Sequence, residues 1–235
     1  MNGTFYGVGV GPGDSELLTV KAVRLLNEVD IIIAPVKKIG KQSIALDIAM
    51  PHLSDDAKIM NLVFPMIYNA DELTEQWIKN ASIIERELKK GKNIAFITLG
   101  DPMLYSTYMY VMELLVKKEI KVETIPGINS FSAIASICGV PLTAGNETLT
   151  VIPLRKDCTR VKKALEEFDN IIVMKPSGAS KELAQLLIEH KLENNFVMVS
   201  KASQDKEEIS YDITKLQDGD IPYLTTILIK KNGLK

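Results

Sequence analysis

Thr4-Phe5-Tyr6-Gly7-Val8-Gly9-Val10-Gly11-Pro12-Gly13-Asp14 sets a short apolar run directly before a glycine-rich turn. The run reads as a strand from Thr4 to Val10, and the turn leads into a segment of helical period at Leu17 to Asn27. Three loop types that bind nucleotides or methyl donors can be tested here by register. A dinucleotide fingerprint needs glycine at relative positions one, three and six, with a carboxylate about 20 residues later for the ribose. Counted from Gly7 the sixth place is Pro12, and counted from Gly9 it is Asp14; the end of the next strand, Ala34-Pro35-Val36-Lys37-Lys38, carries no carboxylate. A phosphate loop closes on Gly-Lys followed by Ser or Thr, whereas Gly13 is followed by Asp14, whose charge would repel phosphate. A common methyltransferase loop has an acid two residues before its first glycine, and Phe5 holds that place. What remains is a tight turn whose glycines let a ligand or another chain segment approach the backbone, followed by Asp14 or Ser15 as a helix cap.

Outward from this turn, short β-rich runs alternate with helical segments, the pattern of βαβ units around a parallel sheet. Strands are predicted at Ile31 to Val36, Lys58 to Val63, Asn93 to Leu99 and Lys121 to Ile125, with helices at Ser43 to Met50, Asp71 to Lys90 and Thr107 to Lys118 between them. From about Thr148 strands dominate: Thr148 to Leu154, Asn170 to Lys175, Phe196 to Ala202, Glu207 to Ile213 and Tyr223 to Lys230. Helices are expected only near Thr159 to Phe168 and Ser180 to His190, and the last two strands are expected to pair antiparallel across Gln217-Asp218-Gly219-Asp220. The fold class is therefore α/β in two domains, residues 1–117 with a parallel sheet and residues 118–235 with a mixed sheet.

Length and composition fit this architecture. The 235 residues are 46% hydrophobic and 25% charged, ordinary globular usage. With 28 basic and 30 acidic residues the formal charge is -2, which provides no basic field for a nucleic-acid backbone. No apolar run approaches the roughly 20 residues that span a bilayer, and no basic n-region precedes an apolar h-region, so a cytoplasmic protein without a membrane partner is expected. Cys138 and Cys158 lack CxxC spacing, and His52 and His190 stand alone, so neither a disulfide framework nor a metal site is signalled.

Three further motifs lie at the ends of predicted elements. Leu99-Gly100-Asp101-Pro102-Met103-Leu104-Tyr105-Ser106-Thr107 lies at a strand's C-terminal end, the edge at which open α/β sheets bind ligands. Gly100 removes a side chain there, and Asp101 either fixes a ligand amine or hydroxyl or serves the Asp-Pro turn. Pro126-Gly127-Ile128-Asn129-Ser130-Phe131 again joins a strand to a helix, with Asn129 or Ser130 as a cap or a ligand contact. Gly139-Val140-Pro141-Leu142-Thr143 is a rigid connector.

In their order and spacing, the segments G-x-G-P-G-D, L-G-D-P, P-G-I-x-S and G-V-P-L-T resemble the tetrapyrrole methylase family, over nearly the whole chain. The stretch Gly100 to Tyr108 is similar to the branch that methylates carbon 20 of precorrin-2 or its cobalt form in cobalamin synthesis. The resemblance implies S-adenosylmethionine bound in a cleft between the two domains, a tetrapyrrole substrate, and a homodimer. Residue by residue it implies cofactor contacts at Pro12, Leu99, Gly100, Asp101, Leu104, Asn129, Ser130, Met174, Ala202 and Thr225. A member acting at a different ring position, or a non-catalytic module that binds the cofactor and regulates a partner, are the alternatives.

The chemistry so implied makes few demands on acids and bases. Displacement at a sulfonium releases a neutral thioether, so the protein must chiefly hold donor and acceptor in a near-attack pose and exclude water. Tyr105 and Tyr108 either orient the macrocycle or pack in the core. The substrate's carboxylates call for cations, for which Lys37, Lys38, Lys41, Arg155 and Lys175 are candidates, although exposed lysines commonly serve solvation alone.

Overall fold

The computed structural model describes residues 2–38, 40–65, 69–154 and 156–234. The chain divides into two compact units, Met1–Asn129 and Ser130–Lys235. The first contains β1 (Phe5–Gly9), α1 (Val20–Glu28), β2 (Ile31–Val36), α2 (Ile44–Ala49), β3 (Ile59–Val63), α3 (Ala70–Leu88), β4 (Ile94–Thr98), α4 (Tyr108–Val116) and β5 (Val122–Ile125). Its sheet has the order β3-β2-β4-β1-β5, and every pairing is parallel. Parallel strands need helical crossovers, which cover both faces, and this accounts for near-continuous apolar runs such as Ile31-Ile32-Ile33-Ala34. One face packs Phe5, Ile31, Ile33, Ile94 and Phe96 against α3 and α4; the other packs Val8, Ile32, Ala95 and Ile97 against α1 and α2.

Pro35 sits inside β2 without breaking the sheet. The N–H of Ile32 points to the β3 side, where it reaches the Lys58 carbonyl at 2.9 Å, so alternation turns the nitrogens of Ile31, Ile33 and Pro35 toward β4. Pairing with β4 ends at Ile33, and the missing N–H of Pro35 therefore removes no rung. Helix starts follow local chemistry: Thr19 accepts from the Ala22 N–H at 3.1 Å to cap α1. Asn69 caps α3 by accepting from the N–H groups of Asp71 and Glu72 while donating to Glu72 Oε1.

The second unit contains α5 (Ser130–Cys138), β6 (Leu149–Pro153), α6 (Thr159–Glu167), β7 (Asn170–Met174), α7 (Ser180–Glu189), β8 (Phe196–Ser200), β9 (Glu208–Ser210), α8 (Ile213–Asp218) and β10 (Thr225–Lys230). Its sheet, β6-β7-β10-β8-β9, is mixed: β6 and β7 are parallel and the other pairs antiparallel. Residues of α6, α7 and α8 pack on one face, and Ile134 of α5 packs with Ile172, Val197, Val199 and Leu228 on the other.

Two expectations change. The division expected after Lys117 falls too early, because β5 pairs along its length with β1 and holds residues 118–129 in the first unit. The last two strands do not pair with each other. β9 is only Glu208–Ser210 and pairs with β8, while β10 inserts between β7 and β8. Between them Asp212 accepts from the N–H and hydroxyl of Thr214, capping α8, which ends at Gly219 with φ of 84°. A cap residue and a glycine stop are both present in the sequence, on either side of the six helical residues.

At one end of the second sheet Lys230, 4% exposed, donates through its ammonium to Glu147 Oε2 at 3.1 Å and to Asn170 Oδ1 at 2.9 Å. Asn170 Nδ2 and the Ala144 N–H also donate to Glu147 Oε2, each at 3.0 Å. These bonds, that from Asn170 foremost and that from Lys230 next, hold the Glu147 carboxyl below its ordinary range. A carboxyl lowered in the folded state contributes stability that is present above its unfolded pKa and lost as pH falls through the folded one. Urea titrations of Glu147→Gln against the parent chain should therefore show the parent more stable at pH 7, with the gap closing below about pH 4. A gap independent of pH would remove the charge from this account.

Candidate functional site

Because the first sheet is parallel, the loops leaving β1, β4 and β5 emerge at one edge. β1 lies between β4 and β5, and α1 and α4 pack on opposite faces. The chain leaving β1 thus turns away from the chain leaving β4, which is the condition for a ligand crevice in an open α/β sheet.

Three glycines bring these loops into backbone contact. A Cβ on Gly127 would lie 2.2 Å from the Gly100 carbonyl oxygen and 2.8 Å from Gly9 Cα; one on Gly9 would lie 2.6 Å from that same oxygen and from Gly127 N and Cα. Gly100 N–H donates to the Gly11 carbonyl at 2.7 Å, and Gly11 N–H returns a 3.3 Å bond to Gly100. Gly100 differs from its partners. A Cβ there would meet nothing closer than the Ile128 oxygen at 3.9 Å, but its φ of 71° lies in the left-handed region. Gly100→Ala should thus cost about 1–2 kcal/mol of backbone strain without a clash, a loss that denaturant melts would register. Gly100→Val adds a branched side chain to that strain.

Asp101 ties the crossing together. Its Oδ1 accepts from the Met103 N–H at 2.8 Å, its Oδ2 from the Gly127 N–H at 2.9 Å, and its carbonyl from the Leu104 N–H at 3.3 Å. Both possibilities for this carboxylate were open from the sequence; the geometry shows it serving the Asp-Pro turn and reaching across to the β5 loop. Pro12 is buried beside the β1 turn, and Leu99 packs on the face that carries α1. Thr98 and Ser106 hydroxyls meet at 2.9 Å, and Ser106 Oγ also accepts from the Tyr108 N–H, which closes the loop after β4 onto the start of α4.

The two tyrosines separate cleanly. Tyr108, for which the sequence leaves substrate contact and core packing open, is 0% exposed and stacks on Phe5 at 5.6 Å; its hydroxyl meets Thr124 Oγ1 at 2.8 Å. Its ring occupies the space that a Cβ on Gly7 would need, 2.2 Å from Tyr108 Cζ. It is a core residue, and burial raises its hydroxyl pKa. Tyr105 is 41% exposed and has φ of 50°, a conformation that costs a non-glycine residue about 1–2 kcal/mol.

Within the second unit, Met174 ends β7, Thr225 opens the antiparallel β10, and Ala202 follows β8, so all three converge on one sheet edge. Thr225 Oγ1 donates to the Pro222 carbonyl at 2.7 Å and therefore accepts from Ser200 Oγ at 2.8 Å. Ser130 Oγ meets Thr226 Oγ1 at 2.9 Å, which brings the start of α5 to this edge. Asn129 stands just before it, with its Oδ1 buried and without a hydrogen-bond partner. Lys37, Lys38 and Lys41 are exposed after β2, at the β1 and β4 edge, and Lys175 is half-buried at φ of 57°. Arg155 lies outside the described residues. Burial holds the Cys158 thiol up at about 12, which leaves it inert, and Cys138 closes α5. Among the described residues no group of three His, Cys, Asp or Glu is arranged to hold a metal, and no helix is long and apolar enough to cross a membrane.

The roles of Gly9 and Gly127 as a contact pair, and the reach of Asp101 to Gly127, were missed from the sequence. Glycine after a strand was the available signal, but it does not say which other glycine lies against it.

The family model described as Tetrapyrrole (Corrin/Porphyrin) Methylases matches residues 4–218. This chain belongs to the tetrapyrrole methylases. As a tetrapyrrole methylase it is 39% identical over 230 residues to the probable cobalt-precorrin-2 C(20)-methyltransferase of Methanocaldococcus jannaschii, covering 96% of this chain and 95% of that one. It is 33% identical over 232 residues to the cobalt-precorrin-2 C(20)-methyltransferase of Salmonella typhimurium, covering 98% of each. Its fold matches the uroporphyrin-III C-methyl transferase of Thermus thermophilus complexed with S-adenyl homocysteine, with a TM-score of 0.68 at 20% identity over 97% of this chain and 92% of that one. The tetrapyrrole methylase fold thus places the glycine crossing at the loop edge of its first sheet.

Proposed function

We propose that this chain transfers a methyl group from S-adenosylmethionine to carbon 20 of cobalt-precorrin-2, a step of cobalamin biosynthesis. The observation that carries this is the similarity along essentially the full chain to two relatives named for that reaction, at 39% and 33% identity. Both names specify the cobalt form, which favours it over metal-free precorrin-2 as substrate.

The residues present suit the cofactor. The side-chain-free space over Gly100 admits a ligand to the backbone, and the buried Asn129 Oδ1 is an acceptor in want of a donor. Pro12, Leu99, Gly100, Leu104 and Asn129 of the first unit would hold it. When bound, S-adenosylmethionine supplies an electrophilic methyl group on a sulfonium. The chain's task is then positioning: Asp101 fixes the two loops through backbone N–H groups, and the glycine crossing sets the backbone against which the ligand lies. The exposed lysines after β2 would meet the substrate's carboxylates.

In the same proposal the protein works as a homodimer in the cytoplasm, and sedimentation at twice the chain mass would support the dimer. The decisive experiment incubates the protein with S-adenosylmethionine and cobalt-precorrin-2, or precorrin-2, and examines the product by mass spectrometry and NMR. One added methyl at carbon 20 is expected. A methyl elsewhere would reassign the position, and cofactor binding without transfer would point to a regulatory module.

A further inference from the structure

We propose that Tyr105, with Met103 two positions before it in the same loop, forms the apolar platform on which one face of the tetrapyrrole macrocycle stacks, an inference that rests on the function proposed above. The two side chains are 41% and 53% exposed, and they rise from the loop that leaves β4 immediately after Gly100. The loop is fixed at both ends. Asp101 binds the Met103 and Leu104 N–H groups, and Ser106 is held by Thr98. The positive φ of Tyr105 is thus imposed by an anchored backbone.

Glycine would occupy φ of 50° without strain. Among the described residues, the other non-glycine positions with positive φ are Glu119, Lys175, Lys191, Lys201 and Ser203, none of them aromatic. A large ring held in a strained conformation with 41% of its surface left in water is not accounted for by core packing alone, and strain of this kind points to a ligand. A reduced tetrapyrrole offers a broad apolar face rimmed by carboxylates. A phenol ring stacks on such a face, and a flexible thioether fills the irregular gap beside it. The neighbouring Tyr108 is excluded from this part by its burial against Phe5 and Gly7.

The test compares Tyr105→Gly and Tyr105→Phe with the parent chain. Thermal melts report the fold, calorimetric titration with S-adenosylhomocysteine reports the cofactor side, and titration with uroporphyrin, followed at its Soret band, reports the macrocycle without requiring turnover. Tyr105→Gly should melt no lower than the parent and bind S-adenosylhomocysteine within about twofold. Its uroporphyrin Kd and its KM for cobalt-precorrin-2 should both rise about tenfold. Tyr105→Phe, which keeps the ring, should restore both. A lower melting temperature with unchanged porphyrin affinity would make Tyr105 a structural residue and overturn the proposal, as would a parallel loss of S-adenosylhomocysteine affinity. Failure of the parent chain itself to bind porphyrin or transfer a methyl would instead remove the proposed function, and this platform with it.

Discussion

Gly127→Ala should collapse the candidate site and destabilise the first unit by about 3 kcal/mol or more, lowering the melting temperature on the order of 10 °C. The added Cβ would meet the Gly100 carbonyl oxygen at 2.2 Å and Gly9 Cα at 2.8 Å, both backbone atoms that no rotamer change can move. Relief would require β5 to part from β1, and β1 is paired on its other side with β4. Gly9→Ala meets the same backbone from the opposite side, at 2.6 Å, and should have a similar effect. Since the two changes strain one crossing, the double variant should cost less than the sum of the singles. Full additivity in denaturant melts would mean that the glycines act separately.

Asp101→Ala should weaken S-adenosylhomocysteine affinity at least tenfold and destabilise the protein by about 2–3 kcal/mol, because the N–H groups of Met103 and Gly127 both lose a charged acceptor. Asp101→Asn separates the two bonds. Its carboxamide keeps one oxygen acceptor and turns an NH2 donor toward the other N–H, so an intermediate loss is expected. Amide hydrogen exchange gives the sharper readout: Gly127 should lose protection in both variants although it lies 26 positions away in sequence. Unchanged protection at Gly127, with cofactor affinity still lost, would show that Asp101 acts on the ligand directly.

Much of the fold was legible in local pattern. The strands β1 to β5 follow apolar runs, and Thr19 and Asn69 mark helix starts where their side chains satisfy free N–H groups. The second sheet was less legible. A three-residue β9 and a six-residue α8 offer too few residues for a period, and strand order depends on which faces bury together rather than on proximity along the chain. The site shows the same division. Tyr105 and Tyr108 share a residue type and lie three positions apart, yet one is exposed under strain and the other fills the space left by Gly7.

By itself the sequence determined the α/β class, excluded the common nucleotide loops by register, and, through four spaced segments, pointed to the tetrapyrrole methylases. These are properties of local order, which a chain carries in its residue types and their spacing. Only the tertiary structure decided that Gly9, Gly100 and Gly127 meet, that Asp101 spends its carboxylate on the backbone, and that β5 belongs with the first sheet. Those facts are contacts between segments distant in sequence, and they arise when parallel pairing brings the ends of β1, β4 and β5 to one edge.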